Sequence, residues 1–257
     1  MANGARDRIG IISWSRSTRA GWVLVFVFGY ALVDLLPVIL PSTPVFRGLG
    51  LGDLADVVLI FVLVVLYVEL GSQANLYRSL KLRVAYTGAL LLMVQGHAIH
   101  LAANAIANAS QPGAQGWGLA DFLDETWGHV ELHFAFLLLG ALFIGCGRSD
   151  GGDGSEPVLS ATEKTGLWIA AVIYGVLLGA DAVEGQTAPL MLPCAIALFV
   201  WGWFPYLERP RGGDGRARMS LYRRFFATSF GVTALALLIY WLIMDGFPQF
   251  STLAAAG

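Results

Sequence analysis

The chain has 257 residues, of which 56% are hydrophobic and only 13% charged, with a mean hydropathy of +0.66. Soluble domains carry about 25% charged residues, so an ordinary water-soluble globule is excluded. Lys and Arg number 16 against 18 Asp and Glu, a formal charge of -2, which gives none of the basic excess that a nucleic-acid partner requires. The composition is that of an integral membrane protein whose solvent is membrane lipid.

A helix needs about 20 mostly apolar residues to cross the hydrocarbon core. The first such run, Trp22 to Leu40, follows Arg6, Arg8, Arg16 and Arg19. It is longer than a signal-peptide core and has no small-x-small cleavage pattern before Pro41, so it is expected to stay as a span. Its prelude, with Ile9, Ile11, Ile12 and Trp14 among the arginines, is expected to lie along the headgroups. In chain order the apolar runs predict seven spans, roughly 21–40, 53–71, 84–108, 120–146, 165–183, 187–206 and 225–245. They are continuously apolar instead of alternating, which favours helices over barrel strands. The expected fold is all-α, a single seven-helix bundle domain over 1–257.

Basic residues set the orientation, because cytoplasmic loops carry the excess of Lys and Arg. Arg78, Lys81 and Arg83 separate spans two and three, and Arg148 and Lys164 flank the loop after span four. Arg209, Arg211, Arg216, Arg218, Arg223 and Arg224 lie between spans six and seven. With the four N-terminal arginines, all of these fall on one side and only Arg47 on the other. The N-terminus is therefore expected in the cytoplasm and the C-terminus outside, in a plasma or inner membrane. The Gly- and Asp-rich stretches Gly147–Pro157 and Pro210–Arg218 read as flexible connectors. Cys146 and Cys194 have no C-x-x-C spacing and read as small apolar residues.

Polar groups inside these spans gather toward the outer leaflet. Asp34 ends span one, and Asp53 and Asp56 open span two, with Asp53 a capping residue. His97, His100, Asn104 and Asn108 occupy the outer half of span three. Asp121, Asp124, Glu125, His129, Glu131 and His133 open span four, and Asp181 and Glu184 end span five. An ionisable group at the bilayer centre costs roughly 2.5–3.5 kcal/mol, so such groups turn inward and pair or bind something.

At about 100° per residue, His97, His100, Asn104 and Asn108 fall within an arc of roughly 80°. Asp121, Glu125, His129 and His133 advance by four and form a second stripe, with Glu131 facing away. Spans three and four are joined by a short connection and should be antiparallel neighbours. That would set His97 level with His133 and His100 near His129. All 4 histidines of the chain thus lie on two facing stripes.

Neutral imidazole ligates zinc, iron and copper, and carboxylates complete such sites. The expected ligands are His97, His100, His129 and His133, with Glu125, Asp181 and Glu184 as carboxylate ligands or bridges. Glu125 is the expected general base and Asp124 its alternate. Asn104, Asn108, Asp34 and Asp56 are expected to orient the ligands through hydrogen bonds. The reaction implied is hydrolysis or oxidoreduction of a lipid or other amphiphile entering from the outer leaflet. A transporter or metal-handling protein would need the polar path to continue to the cytoplasm, where Glu69 is the one stepping stone. A non-catalytic subunit would present a filled coordination shell and no room for substrate. Span seven has no lysine for a retinal Schiff base, and four histidines are too few for the histidine boxes of membrane desaturases. Membrane hydrolases related to alkaline ceramidases are similar in architecture alone, since their paired histidines sit in the last span.

Overall fold

The computed structural model describes residues 16–40, 44–46, 49–110, 113–146, 159–207, 220–250 and 252–253. The expected headgroup segment before Arg16, Arg47 and the connectors Gly147–Pro157 and Pro210–Arg218 lie outside the described residues, as do the side chains of Asn108 and Cys146.

The chain is helical at every expected span. The helices are α1 (Arg16–Ile39), α2 (Leu51–Gln73), α3 (Leu80–Ala109), α4 (Trp117–Phe122), α5 (His129–Cys146), α6 (Ala161–Glu184), α7 (Ala188–Leu207) and α8 (Leu221–Met244). A π-helical stretch, Leu123–Gly128, joins α4 to α5 in one unbroken rod. Six of the helical rods are long and apolar enough to cross a membrane; the apolar part of α7, Ala188–Phe204, is shorter. The departure from an all-helical reading is small: β1 (Pro44–Phe46) and β2 (Leu49–Gly50) form an antiparallel pair between α1 and α2.

Helix starts follow local chemistry. Ser79, Ser160 and Ser220 each accept a backbone N–H of the first turn, and Glu163 reaches back to the Ser160 N–H to complete a capping box. Asp53 does the same for α2, accepting the Gly50 N–H at 2.7 Å, which is the capping role expected of it.

Lipid tails are as apolar as leucine, so these helices are held by close packing and interhelical hydrogen bonds more than by a hydrophobic force. α8 packs against α5, α6 and α7, α1 against α2 and α6, and α3 along the π stretch and α5. At the α6–α8 crossing a Cβ on Gly175 would lie 2.5 Å from the Ser229 carbonyl oxygen, and Thr233 Oγ1 donates to the Gly175 carbonyl at 2.9 Å. The interior is aromatic: Phe26, Tyr67, Tyr174, Phe143, Phe225, Phe226 and Phe230 are all but fully buried. Phe143 stacks on Phe226 with centroids 4.5 Å apart, and Tyr67 and Tyr174 join hydroxyls at 2.9 Å.

Arg223, expected among the basic loop residues, instead lies inside α8 and is buried. Its guanidinium donates to the carbonyls of Gly202 and Trp201 on α7, each at 2.9 Å. Pro205 has no N–H, so it leaves the carbonyl four residues earlier, that of Trp201, without its helical donor. Arg223 supplies one.

Candidate metal centre

The site is built where α3 meets the π stretch, and glycine makes the approach possible. A Cβ on Gly128 would lie 2.9 Å from the His100 backbone nitrogen, and one on Gly96 would lie 2.6 Å from that of Leu132. Backbones this close leave room for no side chain, so the residues next to each glycine, His97 and His129, are drawn into a shared layer. Gly185, in the turn after α6, closes the third side. A Cβ there would sit 2.6 Å from Nδ1 of His129.

Within this layer the imidazoles form a row. Ring centroids are separated by 6.4 Å from His97 to His100, 4.4 Å from His100 to His129 and 6.2 Å from His129 to His133. The pairing of His100 with His129 is the one expected from helix depth. His97 does not meet His133. Its Nε2 turns instead to α2, 3.3 Å from the Asp56 carbonyl and 3.4 Å from its carboxylate.

Asp124 is buried and its Oδ1 lies 2.6 Å from Nδ1 of His100. One ligand atom each from His100, Asp124 and His129 all lie within 4.8 Å of one another. Metal–ligand bonds of about 2.0–2.2 Å put neighbouring donors roughly 3–4 Å apart, so the three would have to close by up to about 1 Å to hold a single ion.

His133 is prepared in a different way. Its Nδ1 is 2.9 Å from the His129 carbonyl and 3.0 Å from Thr187 Oγ1. A carbonyl only accepts, so Nδ1 carries the proton and Nε2 presents its lone pair. This Nε2 is buried with no hydrogen-bond partner. Nδ1–H on a backbone carbonyl is the arrangement that fixes tautomer and ring in metal-ligating histidines.

The remaining expected residues fall into two groups. Asp181 and Asp34 come together: Tyr30 OH donates to Asp181 at 2.8 Å, and the Asp34 carboxyl lies beside that of Asp181. Glu125 and Glu184 face the C-terminal segment. Gln249 donates to the Glu125 carboxylate at 3.0 Å and to the Glu184 carbonyl at 2.7 Å, and the Phe250 N–H donates to the Glu184 carboxylate at 2.8 Å. Neither belongs to the three-residue convergence. Asn104 is half-buried on α3, four residues beyond His100. Glu131 turns to Gln95 and away from the cluster, as expected.

The choice of Asp124 over Glu125 follows from the π stretch. A turn closed by i→i+5 bonds takes one more residue than an α turn, so Asp124 stands one such turn before His129. The four-residue count that selects Glu125 assumes an uninterrupted α-helix. Tyr30, Thr187 and Gln249, which bond Asp181, His133 and Glu125, were not foreseen. Tyr30 stands four residues before Asp34 on α1, a stripe that could have revealed it; Thr187 and Gln249 act from turns, where no periodicity operates.

No protein-family model, curated protein or solved structure matches this chain.

Proposed function

We propose that the chain is a seven-span membrane metalloenzyme, a hydrolase or oxidoreductase acting on a lipid or other amphiphile, with its metal held by His100, Asp124 and His129. The observation that carries this reading is the convergence of those three residues' ligand atoms within 4.8 Å. Two imidazoles and one carboxylate leave coordination positions open. That donor set serves catalytic zinc with its bound water and also the facial triad of non-haem iron; copper is the third metal to be tried. Bound there, a metal would supply a Lewis acid and an activated water, or a redox centre.

The chain's own groups take distinct parts. His100 Nδ1 and Asp124 Oδ1 lie 2.6 Å apart, both buried and neither with a hydrogen-bond partner, a pair that a cation would bridge. His133 offers its bare Nε2 alongside, and Asp56 orients His97. Glu125, bonded by Gln249, is assigned to proton transfer in place of ligation. On the same rod Leu119, Phe122 and Trp127 are exposed, apolar surface suited to an amphiphile arriving from the bilayer.

An aromatic floor favours an enzyme over a conduit. Below the histidines, Phe136 packs on His133, Tyr30 and Tyr67 with centroids 6.1, 5.8 and 6.5 Å away, and Phe26 and Tyr174 continue the layer. Counting α7 as a span, the distribution of Lys and Arg puts the N-terminus in the cytoplasm, the C-terminus outside and the site in the extracytoplasmic half of a plasma or inner membrane.

Elemental analysis of the purified protein tests the proposal. Near-stoichiometric zinc, iron or copper is expected, and His100→Ala with His129→Ala should abolish it. Protein purified without any of these metals and unable to take one up, or a double variant that keeps it, would contradict the assignment.

A further inference from the structure

At the opposite end of α6 from the metal centre, a half-open groove runs between the first turns of α6 and α8, walled by Leu159, Leu167, Trp168 and Phe225 and lined by Lys164, Arg224 and Thr228. Lys164 is the fourth residue of α6 and Arg224 the fourth of α8. A helix N-terminus carries a positive partial charge and disfavours cations, yet here two N-termini and two cations surround one groove. Glu163 is engaged by the Ser160 backbone and hydroxyl, both at 2.8 Å, and Arg223 by α7 carbonyls. No carboxylate of the described residues pairs with Lys164 or Arg224.

Thr228 is an independent sign of a ligand. It lines the groove, is 7% exposed, and its Oγ1 is buried without a hydrogen-bond partner. An unmatched buried hydroxyl costs about 1–3 kcal/mol, so a group that reaches it with an oxygen is favoured. The outer face of α6 continues from the groove through Trp168, Ile169 and Val172, all exposed and apolar. Trp at the groove's edge marks the level of the headgroups.

We infer that this groove binds the headgroup of an anionic phospholipid, its phosphate between Lys164 and Arg224, its polar end on Thr228 Oγ1 and its acyl chains along the outer face of α6. Anionic lipid in the cytoplasmic leaflet is attracted by juxtamembrane Lys and Arg, and here the attraction is focused by helix ends and a hydroxyl into one place.

The test uses the full-length protein in mild detergent, offered equal amounts of phosphatidylglycerol and phosphatidylcholine, with retained lipid counted by native mass spectrometry. Wild type should keep one phosphatidylglycerol in preference to phosphatidylcholine. Lys164→Gln with Arg224→Gln should reduce that preference about tenfold or more, and Thr228→Val, which keeps both charges, severalfold. Lys81→Gln with Arg83→Gln, two cations outside the groove, should leave it unchanged, and every variant should keep wild-type metal content and unfolding temperature. Equal retention of the two lipids by wild type would overturn the inference, as would an equal loss from the Lys81 and Arg83 pair. Saturable binding of inorganic phosphate at the groove with no preference among lipids would likewise overturn it in favour of a free-anion site.

Discussion

Gly128→Ala probes the geometry of the metal centre without touching any ligand. The added Cβ would lie 2.9 Å from the His100 nitrogen, 3.0 Å from its Cα and 3.0 Å from its Cβ, whereas unstrained heavy-atom contacts sit at about 3.5–4.0 Å. The obstacle is backbone, which cannot rotate aside, so α3 must retreat from the π stretch by roughly 0.5–1 Å. Metal sites tolerate errors of about 0.2 Å in ligand distance. Overpacking of this kind costs about 1–3 kcal/mol. Borne by the site, that is roughly a 10–100-fold loss of metal affinity at about 1.4 kcal/mol per factor of ten. Competition for the metal against a chelator of known affinity, on the purified protein, measures it. Gly88→Ala is the control: it lies on α3, the helix that must retreat, with nothing within 4 Å of the new Cβ, and should leave affinity unchanged while stabilising the helix slightly. If Gly128→Ala held its metal as tightly as wild type, the close approach of α3 would not be what assembles the site.

Asp124→Asn should release the metal while Glu125→Gln retains it, because only the former belongs to the three convergent donors; the reverse result in metal analysis would restore the simple four-residue stripe. Metal occupancy should fall on acidification, since protons compete with the metal for the imidazole ligands, and equilibrium dialysis across pH 5–8 would expose a flat profile if the donors were others. Arg223→Met should lower stability by roughly 1.5–3 kcal/mol by stripping two carbonyls of a charged donor. Arg223→Lys should restore only part of the loss, since an ammonium lacks the fork that spans both. Thermal unfolding in detergent reads this, and a wild-type midpoint for Arg223→Met would remove Arg223's assigned role.

The helices were legible in the sequence because length and apolar continuity are all that a membrane demands of a span. The histidine row was legible for a similar reason: His97 and His100, and His129 and His133, stand three and four residues apart, and an α-helix turns such spacings into stripes. What escaped was anything that departs from ideal repetition. The π stretch at Leu123–Gly128 has no local signature, and it sets Asp124, in place of Glu125, beside His100. Arg223 reads as one more cytoplasmic charge until the proline of a different helix, Pro205, shows which carbonyl needs it. Thr187 and Gln249 reach the site from turns whose position depends on how the helices pack.

The layer of Phe136, Tyr30, Tyr67, Tyr174 and Phe26 has a further consequence for traffic. On the proposed reading, a site floored by these rings is reached from one side, so whatever enters must leave by the same route, and arrival and departure cannot overlap. Gln249 and Phe250, fastened to Glu125 and Glu184, lie on that side. The tail of the chain would then govern how often the site empties, making turnover sensitive to residues that touch neither metal nor substrate.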